Sequence, residues 1–445
     1  MSAKEISFSN LKNYNGKTIT LPGHGIIQKA IVNSGIEAVT MNQQSEIDMQ
    51  FTFSKEIKTG DITNQMSSGR CWMFAGMNVL RKQVMTKCNL KTFELSQNYI
   101  LFYDKLEKAN YFYESILDTL DEATDSRLIA WLLSGPLSDG GQWDMLVNII
   151  EKYGVVPKWI MPETFHSSNT KKMAQLLTRK LRKDASMLRK LSAEGVEISE
   201  LRTKKETMLG EIYTVLCRCL GTPPDKFDFE YNDKDDKFYR KENLSPKTFY
   251  DEYIDVPLTE YVSLINAPTK DKPYGRTYTV QRLGNVVGGH AVKYLNLPIE
   301  DLKKAASAQL HDDEVVWFGC DVGKMLNRKL GIMDTNIYDY TAALGTEVEM
   351  SKAEQLDYGD SLMTHAMVFT AVNVVDDKPV RWKVENSWGD KSGKEGWFIM
   401  SDKWFDKYMY QVVVNKKYLS ESQLGALKQK PIELKPWDPM GSLAL

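Results

Sequence analysis

Cys71 stands where a run of turn formers, Asn64-Gln65-Met66-Ser67-Ser68-Gly69, gives way to an apolar helix, and Trp72 follows it directly. The first turn of a helix presents unpaired N–H groups and the positive end of the helix dipole, which favour a thiolate over a thiol. A thiolate there can attack a carbonyl carbon, given a base-like partner and donors for the oxyanion that forms. Taken alone, an unpaired cysteine is more often a small buried hydrophobe, so the partners decide. His365 opens the apolar run "HAMVFTAVNVV", and Asn386 closes "VRWKVEN". If these runs are adjacent strands, Asn386 accepts a hydrogen bond from one ring nitrogen of His365 and leaves the other facing the thiol. Trp388 would roof that bond against water. Gln65, six residues before Cys71, offers an amide to the same spot as the Cys71 backbone N–H. The four residues together describe acyl transfer through a thioester.

The elements needed to position them are legible. Residues 71–87 read as a helix that ends in basic residues, and "LSQNYILFYDKLEKAN" as a second, with Ser96 available as its cap. "GGQWDMLVNIIEKYGVVP" reads as a third, opened by Gly140-Gly141 and closed by Gly154 and Pro157. Helical patterning persists from 171 to 220, with eight Lys/Arg between 171 and 190 against one acid, Asp184. The turn-rich, charged stretch 221–246 reads as a loop or hairpin. Beyond about residue 255, "EVVWFGCDV", "HAMVFTAVNVV", "VRWKVENSW" and "EGWFIMSD" look like antiparallel strands. A helical half followed by a stranded half predicts an α+β protein with a cleft between the two.

Bulk composition narrows the function classes. Over 445 residues, 57 Lys+Arg oppose 59 Asp+Glu, a balance that argues against a dedicated nucleic-acid binder. No apolar run approaches the roughly 18 residues of a membrane span, and the start lacks the pattern of a signal peptide. Five scattered cysteines fit a reducing cytosol better than a disulfide scaffold. Cys217 and Cys219 have no neighbouring metal-ligand cluster and read as structural. "DKDD" at 233–236 lacks the glycine and distal glutamate of a calcium loop, and "GNVVGGH" at 284–290 lacks the Lys-Ser/Thr of a phosphate loop. His24, His166, His290 and His311 sit in no motif.

The order of "NQMSSGRCWMF", "DGGQWDMLVNIIEKYGVVP", "THAMVFTAV", "ENSWGDKSGKEGWF" and "WDPMG" resembles the papain-like cysteine peptidases, and within them the bleomycin hydrolase and bacterial aminopeptidase C family. The resemblance implies a papain-like fold, α+β, with a helical half and an antiparallel β-barrel-like half flanking the cleft and with large, mainly helical insertions. Cys71 and His365 are 294 residues apart, against roughly 130–150 in simple relatives. The implied layout is residues 1–60 packing on the core, 61–163 with the nucleophile, 164–255 inserted and making subunit contacts, 256–418 with His365 and Asn386, and 419–445 an arm reaching the cleft. Ser68 and Ser138 replace both cysteines of the disulfide usual in that clan. By resemblance, the chain is a cytoplasmic cysteine aminopeptidase of broad specificity. Cys71 is its nucleophile, His365 its acid–base, Asn386 the orienting group and Gln65 an oxyanion donor. Gly140, Gly141, Trp388, Ala444 and Leu445 would meet substrate, with Leu445 open to self-trimming. The expected partners are peptides with a free N-terminus and five further copies in a homo-hexamer, with no cofactor, metal, membrane or nucleic acid. An oligopeptide endopeptidase on the same scaffold, or a non-catalytic or nucleic-acid-binding protein, are the alternatives.

Overall fold

The computed structural model describes residues 4–443. Its centre is the helix Cys71–Lys87, buried continuously from Cys71 to Asn78 and again at Leu80, Arg81 and Val84. A helix apolar on nearly every side must lie inside a layered core, and this one is wedged between helix Trp143–Tyr153 and the strands Val316–Cys320 and His365–Val375. A Cβ at Gly76 would stand 2.0 Å from Leu146 Cδ2, so a glycine is what lets these two helices approach. Ser96 caps helix Gln97–Leu117 by accepting the Tyr99 N–H at 3.0 Å, as its sequence predicts.

Twelve strands form one sheet. Along it lie Ile432–Leu434, Arg276–Val280, Tyr294–Asn296, Tyr261–Ile265, Met409–Asn415, Val316–Cys320, His365–Val375, Lys378–Glu385, Trp397–Ser401, Ile332–Met333 and Leu326–Asn327. Lys55–Glu56 adds beside His365–Val375. The centre is antiparallel as expected, but three pairings nearer the flanks are parallel. Parallel neighbours need long connections rather than hairpins, so no local pattern announces them. Among the described residues the pairing is an open path and does not close on itself. In register, His365 faces Cys320 on one side, while Val368 faces Glu385, the residue before Asn386, on the other. A slip of one residue would turn the imidazole to the opposite face.

The basic segment folds as two long helices, Lys171–Ala193 and Ile198–Leu220, packed on Gln97–Leu117. Part of its charge is used internally, since Lys180 pairs with Asp184 and Glu211, and Arg182 and Arg189 donate to backbone carbonyls. The charged stretch after them is a hairpin, Phe227–Asn232 with Phe238–Leu244.

Within residues 1–60 the first two helices stand open in the single chain. Helices Phe8–Ile19 and His24–Ser34 bury none of their residues. Several of their apolar side chains point outward, Phe8 being 91% and Ile26 78% exposed. Buried positions begin at Thr40, and Ser45 Oγ then donates to Asp334 at 2.7 Å.

Candidate active site

The sheet register and the central helix bring the four chemically promising residues together. His365 Nε2–H donates to Asn386 Oδ1 at 2.9 Å, and the Ser387 N–H donates to the same oxygen at 2.8 Å. Two donors on one atom identify it as the carbonyl oxygen, so Nε2 carries the proton and Nδ1 is left as the base. The helix that Cys71 opens packs directly on the strand that His365 opens. The Trp388 ring lies 4.9 Å from the imidazole at 35°, backed edge-on by Phe398, with the Arg328 guanidinium 4.3 Å from its centroid. Cys71, His365, Asn386 and Gln65 are all buried.

That burial sets the electrostatics. It pushes the Cys71 thiol up to about 12, against the pull of the N–H groups of Ala366, Trp72 and Cys71 itself. The helix-start effect read from the sequence is present as those last two donors, but desolvation outweighs it. Burial also draws His365 down to about 4, opposed by the Asn386 bond and helped by the charge of Arg328. Each charged form is disfavoured alone, whereas a thiolate and an imidazolium formed together compensate each other.

Gln65 spans the cleft. Its Oε1 accepts from Ser387 Oγ at 2.7 Å, its backbone N–H donates to the Ser387 carbonyl at 2.8 Å, and its Nε2 donates to the Ser68 carbonyl at 2.6 Å. The carboxamide is therefore locked one way round, and a primary amide has a second N–H to offer. Below this loop, the fully buried Arg70 makes a two-pronged pair with Glu163 at 2.9 and 2.7 Å. Its Nε donates to Ser68 Oγ at 2.9 Å, and that hydroxyl donates to the Gln65 carbonyl at 2.6 Å.

The Gly140-Gly141 segment forms the facing rim. A Cβ at Gly141 would stand 2.5 Å from Trp72 Cε2, so only glycine fits over that ring. Lys108 Nζ donates to the Gly140 carbonyl at 2.6 Å, and Lys105 Nζ to the Ser138 carbonyl at 2.7 Å. All five cysteines are free, and around Ser68 and Ser138 hydrogen bonds and ion pairs hold the chain. Gln142 Nε2 donates to the Ser442 carbonyl at 2.9 Å, and Ser442 Oγ donates to the Met363 carbonyl at 2.8 Å. The tail thus bonds both to the residue after Gly141 and to the segment just before His365. Arg127 stacks on Trp437 at 3.8 Å, and Lys272 pairs with Asp438 at 3.0 Å. Ala444 and Leu445 lie outside the described residues.

Sequence reasoning missed Ser387, Arg70, Arg328, Asp139 and Gln142. Four of them adjoin a residue already singled out, which was the available signal. Arg328 carried none.

Comparison with known proteins covers nearly the whole chain. The model of the Peptidase C1-like family matches residues 5–441. Aminopeptidase C of Listeria monocytogenes is 52% identical over 441 residues, 99% of each chain. Bleomycin hydrolase of Rattus norvegicus is 46% identical over 391 residues, 86% of each. The crystal structure of PepW from Lactobacillus rhamnosis aligns over 100% of both chains with a TM-score of 0.99 at 51% identity. Because the match runs from end to end rather than over a shared fragment, the chain belongs to the Peptidase C1-like family.

Proposed function

We propose that Cys71 is the nucleophile of this cysteine aminopeptidase, with His365 its acid–base partner. The Cys71 proton passes to His365 Nδ1 as the sulfur attacks the scissile carbonyl. The oxyanion that forms takes the Cys71 backbone N–H and the second N–H of Gln65 Nε2. His365 Nδ1–H then protonates the leaving amine, and water, giving its proton to the same nitrogen, hydrolyses the thioester. Asn386 holds the ring throughout. The observation that carries this reading is the 2.9 Å bond from His365 Nε2 to Asn386, made where the buried helix opened by Cys71 packs on the strand opened by His365.

The free N-terminus of the substrate is the finer part of the proposal. Ser442 bonds to Gln142 beside the glycine rim and to Met363 just before His365. A tail laid there would close one end of the cleft and put a carboxylate near a substrate ammonium. The test compares an amino-acyl fluorogenic substrate with its N-blocked twin, before and after deletion of residues 441–445. The intact enzyme should cleave only the free substrate, and the truncated one should lose that preference. An unchanged preference would leave an endopeptidase scaffold with a passive tail.

Broad specificity, a cytoplasmic location and a homo-hexamer complete the reading, with the strand-rich half as the barrel-like wall and 164–255 as an insertion. No helix among the described residues is long and apolar enough to cross a membrane. The exposed Phe8, Leu11, Tyr14, Ile26 and Val32 offer a further copy an apolar contact. This makes the first two helices candidates for subunit contact alongside the basic segment 164–255. Light scattering at the monomer mass of 50.9 kDa would overturn the assembly.

A further inference from the structure

We infer that Asp139 is a positioning residue for the reaction, its carboxylate joining the loop that carries Gln65 and Cys71 to the rim that carries Gly140 and Gly141. This rests on the roles proposed above for Cys71 and Gln65. One carboxylate oxygen accepts the Gly69 N–H at 3.2 Å and the Thr170 hydroxyl, and the other accepts Lys105 Nζ at 2.5 Å. The Asp139 backbone carbonyl accepts Trp72 Nε1 at 2.7 Å. The residue therefore grips both sides of Cys71 at once.

The link to the chemistry runs through a single peptide plane. The Gly69 N–H and the Ser68 carbonyl belong to the same peptide group, which is planar. Asp139 fixes its N–H end, and its carbonyl end accepts Gln65 Nε2 at 2.6 Å. Tilting that plane would swing the carboxamide away from the oxyanion position. The anchors are independent of both loops, since Lys105 belongs to helix Gln97–Leu117 and Thr170 immediately precedes helix Lys171–Ala193. Burial pushes the Asp139 carboxyl up, but the Lys105 charge and the donors Lys105, Thr170 and Gly69 outweigh it and hold the group well below the usual carboxylate range. The grip thus persists wherever the enzyme is folded and neutral to mildly acidic.

Oxyanion support and thiol reactivity can be read separately. Displacement of iodide from iodoacetamide by Cys71 forms no oxyanion, whereas amide hydrolysis does. Asp139→Ala should lower kcat on an amino-acyl amide by about 10-fold, less than the 10²–10³-fold of losing an oxyanion donor outright. KM and the rate of Cys71 alkylation should stay near wild type. Combined with Gln65→Ala, it should cost almost nothing further, because both act on one group. Asp139→Asn, which keeps an acceptor for Gly69, should recover part of the rate. Should Asp139→Ala fail to fold, Thr170→Val removes one donor to the same oxygen and should show a smaller loss with the same non-additivity. Hydrolysis and alkylation falling in parallel, or independent multiplication of the losses with Gln65→Ala, would reduce Asp139 to a structural residue.

Discussion

The two walls of the cleft are held by different physics. On the nucleophile side the key segments, 65–70 and 138–141, are loops, and a buried loop has no ladder to satisfy its backbone groups. Side chains supply what is missing: Arg70 with Glu163, Lys105 with Asp139, and Lys108 with Asp104 at 2.7 Å. On the histidine side the proposed acid–base group, His365, opens one strand, and Asn386, the amide it bonds, follows the next. The ladder fixes both, with Phe369 packed on Trp382 across the two strands and Phe398 edge-on to Trp388. The buried Glu385, just before Asn386, is met at 2.9 Å by Arg81 of the nucleophile helix, so the two systems are bolted together. Loops thus keep a reactive geometry through paired charge, and strands through register. The first should fail abruptly when a partner is removed, the second gradually.

The largest effect should come from Cys71→Ala, which removes the one group both walls serve. Hydrolysis should vanish while the thermal transition stays near wild type, and any residual turnover of the pure variant would break the scheme. Arg70→Met probes the charged wall. It leaves the Glu163 carboxylate without its buried partner and should cost about 3–5 kcal/mol in urea unfolding. A cost below about 1 kcal/mol, the scale of an exposed pair, would remove the contrast between the walls.

Gln65→Ala should lower kcat by roughly 10²–10³-fold, as expected for an oxyanion donor, with little change in KM. The pH dependence of stability sharpens the histidine side. His365 is drawn from 6.5 to about 4, so between those values the folded state binds fewer protons than the unfolded one. Stability should then fall as pH falls from 6.5 towards 4, by roughly 3 kcal/mol, and this contribution should be flat above 6.5. His365→Gln should abolish that slope. If wild type and variant run parallel, His365 is not held below its usual range in the folded state and this account of the histidine side fails. The smallest effect expected is that of Asn386→Ala, which loses one hydrogen bond to a ring that charges during turnover. That is worth about 1.5–3 kcal/mol, or roughly 10–100-fold in kcat, and stability should fall by about 1–3 kcal/mol because the buried Ser387 N–H also loses its acceptor.

Much of this was legible in the residues. The helix runs Cys71–Lys87 and the histidine strand His365–Val375, as their apolar patterns and flanking turns predict. Ser96 likewise acts locally, capping the helix it precedes, and local sequence encodes it. Glu163 beneath Arg70, Lys105 beneath Asp139 and Arg328 over Trp388 were not legible, because each partner lies at a distance in the chain that no periodicity records. The same holds for the parallel edge strands and for the outward-facing helices at the start. Phe8 and Ile26 read as core by type but find no core within one chain.

By itself the sequence determined which candidate reacting groups exist and which local element holds each: a thiol at a helix start, an imidazole opening a strand, an amide following the next. Those properties depend on a residue and its near neighbours. Tertiary structure alone decided that 294 residues of separation close to a shared site, that the loop walls hang on buried charge, and that thiol and imidazole each resist ionisation. Burial is the common reason. It depends on every element that excludes water from a point, and no single stretch of chain carries that information.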